Sequence, residues 1–90
     1  MVSWSAGGDP ARVREPADTA AYLTAFGRAV RRSREKLGFS QEQFAFEAEL
    51  DRAYVSGIER GVRNPTLKTI LRLTRVLGVA PSALLRGAEK

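Results

Sequence analysis

The sequence predicts an all-α domain of five short helices preceded by an N-terminal arm. Apolar residues recur at spacings of three and four from Tyr22 onward, the helical period, and no alternating strand pattern competes with them. Each periodic stretch opens on a Ser, Thr, Asp or Pro suited to a first turn, and three of them close on a glycine. Ninety residues allow one small core and leave no room for a second.

Residues 1–17 hold Gly7, Gly8, Pro10 and Pro16 without sustained periodicity, which reads as an extended or partly disordered arm. The helical domain is expected over 18–87, with 88–90 as a tail. Asp18 or Thr19 can cap the first helix, whose face carries Tyr22, Phe26, Val30, Ser33 and Leu37 before Gly38 stops it. Arg28, Arg31, Arg32 and Glu35 fall on the opposite face and read mainly as solvated. Ser40 opens the second helix and forms a capping box with Gln43, and Phe44, Ala45 and Ala48 make its inner face. A turn at Glu49-Leu50-Asp51 leads to a third helix, capped by Asp51, ending at Arg60 and stopped by Gly61. Thr66 caps a fourth helix to about Leu77, stopped by Gly78, and Pro81 begins a last short one to about Arg86.

Composition narrows the chemistry. The chain has 15 Lys and Arg against 10 Asp and Glu, a net charge of +5, which favours a polyanionic partner. It has no Cys and no His, which removes disulfides, cysteine-held zinc and imidazole catalysis. No enzyme, metal or cofactor is expected. There is no secretory signal pattern and no apolar run long enough to span a bilayer, so the chain reads as cytoplasmic with no membrane partner.

Two short helices joined by a tight turn, in a basic all-helical domain, describe a helix-turn-helix, whose second helix normally enters the major groove of double-stranded DNA. The stretch is Ser40-Gln41-Glu42-Gln43-Phe44-Ala45, then Leu50-Asp51-Arg52-Ala53-Tyr54-Val55-Ser56-Gly57-Ile58-Glu59-Arg60-Gly61, with Asn64-Pro65-Thr66 before the fourth helix. On these residues the chain resembles the lambda-repressor/Cro-like (XRE) family from about Tyr22 to Leu85. Within that family, Leu50 to Arg60 is similar to the recognition region of restriction-modification controller proteins. The resemblance implies a compact five-helix lambda-repressor-like domain and a transcriptional regulator that binds DNA.

A helical wheel turns Val55, Ile58 and Glu59 inward and leaves Ala53, Gly57 and Arg60 on the far side, flanked by Arg52, Ser56 and Tyr54. Arg52 in the first turn suits guanine O6 and N7, and Ala53 suits a thymine methyl. Tyr54 and Ser56 suit a base edge or a phosphate. Gly57 costs about 1 kcal/mol against Ala in mid-helix, so it either admits DNA closely or relieves a packing clash. Arg60, Arg63 and the Thr66-capped helix start suit phosphate. The resemblance implies a phosphate contact for Gln41 and a pairing of Arg34 with Glu59, which also answers the need of an inward carboxylate for a cation.

On the fourth helix the wheel gives Leu67, Ile70, Thr74 and Leu77 as the core stripe, with Leu71 on its flank. Leu73 and Val76 then widen the apolar arc beyond what one surface helix needs, and with Leu84 and Leu85 they predict a homodimer interface. Phe46 lies away from the inner face of its helix, and the sequence suggests that the arm covers it through Trp4 or Val13. The competing reading is an antitoxin-like or other protein-interaction module on the same fold. A small carboxylate enzyme is weaker still. No small-molecule ligand is evident.

Overall fold

The computed structural model describes residues 18–89, apart from the side chain of Glu89. The arm, and the suggestion that Trp4 or Val13 covers Phe46, lie outside the described residues. Five helices and no strand are present among them: α1 (Thr19–Lys36), α2 (Gln41–Ala48), α3 (Arg52–Arg60), α4 (Leu67–Leu77) and α5 (Pro81–Glu89). α5 runs three residues past the expected end at Arg86, so Ala88 and Glu89 are helical rather than tail.

Local chemistry accounts for the helix ends. The Gln43 amide donates to the Ser40 hydroxyl at 3.0 Å and the Ser40 amide donates to the Gln43 side chain at 2.9 Å, a closed capping box. The Thr69 amide donates to the Thr66 hydroxyl at 3.2 Å. Asp18 and Asp51 occupy the capping positions of α1 and α3 without a side-chain capping bond. α1, α3 and α4 end beside the left-handed glycines Gly38, Gly61 and Gly78, while α2 ends on Glu49, the one left-handed residue besides glycine among the described residues, at φ 59°.

The core lies where α1, α2, α3 and α4 meet, with Val30, Phe44, Val55, Ile58 and Leu73 fully buried. α1 is the central support, packing on α3 along one side and on α5 along another. Gly27 makes the first contact possible. A Cβ there would stand 2.6 Å from the carbonyl oxygen of Glu59, so only a residue without a side chain lets α1 approach the end of α3 this closely. On the other side Gly87 of α5 lies against Ala29.

The structure corrects the wheel on α4. Leu73 is fully buried with Thr74 and Leu77, whereas Leu67 is 66% exposed and Leu71 is also exposed. The apolar arc of α4 is wide, with Lys68, Arg72 and Arg75 opposite it, and the folded chain buries the Leu73 and Leu77 part of that arc rather than Leu67. α5 also folds back so that Leu84 plugs the core. Leu73 and Leu84 are therefore unavailable to a second copy. Val76 is half-buried against the core, and of the four expected interface residues Leu85 alone is exposed. On α1, Tyr22 and Leu37 are exposed as well: the inward stripe is Phe26, Ala29, Val30 and Arg34, and Leu37 lies beyond the last turn.

Candidate nucleic-acid interface

The position of α3 is set by a buried charge. Glu59 points into the protein with 2% of its side chain exposed, and Arg34 of α1 meets it with two arms of its guanidinium. Arg34 Nε donates to Oε2 at 2.7 Å and Nη2 to Oε1 at 3.0 Å, a paired geometry that favours Arg over Lys. The remaining arm, Nη1, donates to the Phe39 carbonyl at 2.8 Å, so the same side chain ties α3 to the loop entering α2.

Gln41 completes this cluster. Its side-chain amide donates to Glu59 Oε1 at 3.0 Å. In the DNA-free protein the Gln41 side chain, expected to meet a phosphate, is therefore engaged internally with the Glu59 carboxylate.

Anchored inward by Val55, Ile58 and Glu59, α3 turns Arg52, Ala53 and Arg60 to solvent, with Tyr54 and Ser56 partly covered. Arg60 Nε reaches the Ser56 hydroxyl at 3.4 Å along the outer face. Because Glu59 is paired inside with Arg34, the outward cations Arg52, Arg60 and Arg63 outnumber the exposed carboxylate at the start of α3, Asp51. Thr66 is exposed at the start of α4.

Gly57 departs from the wheel. It is buried rather than outward, because the loop after α3 returns Arg63 across it: a Cβ at Gly57 would stand 2.6 Å from Arg63 Cγ. The Val62 amide donates to the Gly57 carbonyl at 2.9 Å, and the left-handed Gly61 turns the chain back. The Arg63 guanidinium then lies over the Tyr54 ring, 5.5 Å from its centre. Sequence reasoning missed Gly27, the Gln41–Glu59 bond and this stack. A lone glycine within the arginine-rich α1 was the available hint of the first; the other two join segments far apart on any helical wheel.

Comparison with known proteins agrees with this geometry. The family described as helix-turn-helix matches residues 30–84. The control protein C.BamHI of Bacillus amyloliquefaciens is 49% identical over 61 residues, 67% of this chain and 75% of that protein. The crystal structure of the restriction-modification controller protein C.AhdI of Aeromonas hydrophila superposes with a TM-score of 0.70 at 47% identity, covering 71% of this chain and 97% of that one. The biofilm master regulator SinR, solved in complex with DNA, superposes with a TM-score of 0.65 at 30% identity over 67% of this chain and 97% of its own. These relatives are regulators rather than enzymes. With its five helices, its α2–turn–α3 unit and this extent of match, the chain belongs to the XRE-type helix-turn-helix family of transcriptional regulators and is similar, within it, to restriction-modification controller proteins.

Proposed function

We propose that the protein is a sequence-specific regulator that binds double-stranded DNA as a homodimer, with α3 in the major groove of each half of a palindromic operator, as a restriction-modification controller. One observation carries the reading. The only acidic residue of α3 is consumed inside the protein by Arg34, leaving an outer face with Arg52 and Ala53 exposed in the first turn. A cation on a short stem of small residues can lie deep in a groove. Arg52 reads guanine, Ala53 meets a thymine methyl, and Tyr54 and Ser56 contact base edges or the flanking backbone. Arg60, Arg63, Thr66 and the first turns of α2 and α4 hold phosphates and set the register.

The second copy docks on the side formed by α1, α4 and α5. Tyr22, Ile70 and Leu85 line an apolar cavity of about 320 Å³ there, and Leu67 and Leu71 are exposed on α4. Two copies related by a two-fold axis place their α3 helices one DNA turn apart, ~34 Å. The protein acts beside the chromosome in the cytoplasm; no described helix is long and apolar enough to cross a membrane.

The protein-interaction reading draws on a different feature. Phe46 is 79% exposed on the outer face of α2, between Glu42 and Glu47. Selection of bound duplexes from a random pool decides between the two. Recovery of a two-fold-symmetric site supports the regulator; a pool that stays random supports the protein partner.

A further inference from the structure

We infer that Gly57 and Tyr54 are positioning residues that form a seat for Arg63, so that this arginine meets DNA already held in one direction. The inference deepens the DNA-binding reading and rests on it for its consequence, although the seat itself is a property of the free protein. Three observations build it. The missing side chain of Gly57 is where the Arg63 stem lies, since a Cβ there would stand 2.6 Å from Cγ and 3.4 Å from Nε. The Tyr54 ring, one turn earlier on the same flank of α3, faces the guanidinium at 5.5 Å. The Val62 amide on the Gly57 carbonyl fixes the backbone immediately before Arg63.

An arginine free in solution loses much rotamer freedom when it grips a phosphate, worth up to about 30-fold in affinity. A seat that restricts the stem beforehand removes part of that loss. It also fixes the plane of the guanidinium, which matters for a paired grip on two phosphate oxygens. Glycine at position 57 is therefore required by Arg63 and not by the approach of DNA to the helix. The mid-helix glycine, unfavourable for α3 alone, is compensated by the contact it makes room for.

A double-mutant cycle on the full chain tests this, using a selected duplex and a random duplex. Gly57→Ala should weaken binding about 3- to 10-fold, and its melting temperature should change little, because the helix propensity Ala gains offsets the shift that the Arg63 stem must make. Arg63→Ala should weaken binding at least as much. In the Arg63→Ala background, Gly57→Ala should change nothing further, since the two act through one contact. Wild-type binding by Gly57→Ala would overturn the inference. An undiminished loss in the Arg63→Ala background would also do so, by showing that the added methyl collides with DNA itself.

A second readout needs no DNA. The Arg63 Nε–H resonance should be displaced by the Tyr54 ring in the wild type, keep that displacement in Tyr54→Phe, and return to the free-arginine position in Tyr54→Ala and in Gly57→Ala. A resonance unmoved by Gly57→Ala contradicts the seat. If the wild type bound no duplex, the functional reading would fail while this signature still decided the seat.

Discussion

Glu59 is the residue on which the surface of α3 depends. Its carboxylate is inside the protein, held by two arms of Arg34 and by Gln41. Arg34→Ala leaves that carboxylate with Gln41 as its remaining described partner, and breaking a buried pair in this way costs ~3–5 kcal/mol. Denaturant unfolding should show a loss of that order, and an unchanged midpoint would contradict the pairing as a determinant of stability. Gln41→Ala should cost less, about 1 kcal/mol, because the ion pair survives it. The sequence led to Arg34 and Glu59 because an inward carboxylate demands a cation, and the family resemblance supplied the partner. It did not lead to Gln41 as a third member: on α2 alone that residue is an ordinary polar first-turn side chain, and what it touches comes 18 residues later. Gly57 was misplaced for a similar reason. A wheel places residues relative to their own helix, and the side chain covering Gly57 arrives from the next loop.

At the scale of elements, helix ends and helix packing behaved differently under sequence reasoning. The Ser40–Gln43 box and the Thr66 cap are contacts within four residues, so their spacing exposes them directly. The turn between α2 and α3 carries a local strain instead of a local optimum: Glu49 sits at φ 59° where glycine would be at ease. Glu49→Gly should therefore stabilise the fold by ~1 kcal/mol, read as a higher unfolding midpoint with unchanged DNA affinity. A destabilised Glu49→Gly would mean that the Glu49 side chain contributes more than its backbone costs. The crossing of α1 and α3 is the opposite case. Gly27→Ala places a methyl against backbone carbonyls that cannot move aside, and it should destabilise by about 1–3 kcal/mol. An equally stable Gly27→Ala would show that the two helices have room to part. Which part of the wide apolar arc of α4 turns inward was not legible, because α2 and the return of α5 choose within it.

For the whole molecule, fold class, helix order and the α2–α3 unit were legible, since they follow from periodicity, turn residues and one contiguous motif. The association surface was not. Leu73 and Leu84 read as surplus on the wheel and are core residues in the folded chain, so the proposed dimer depends on Leu85 with Leu67, Leu71 and Tyr22. Leu85→Glu introduces a charge at an exposed position and should leave the fold intact while shifting sedimentation toward monomer. A dimer undisturbed by Leu85→Glu and by Leu71→Glu would place the interface elsewhere. Loss of the dimer should also weaken binding to a palindromic site far more than to a random duplex, because the two half-sites would no longer be engaged together.

In the proposed function the outer face of α3 reads base sequence through Arg52, while Arg63 grips the backbone. Binding of Arg52→Ala and Arg63→Ala to the selected site, to single-base variants of it and to random duplex, across salt, tests it most directly. Arg52→Ala should cost ~1–3 kcal/mol on the selected site and abolish the preference at one base pair per half-site, with little change on random duplex. Arg63→Ala should weaken all the duplexes alike and flatten the salt dependence by about one unit per half-site. An Arg52→Ala variant that lost the same affinity for every duplex would contradict base reading by Arg52 and leave it a phosphate contact.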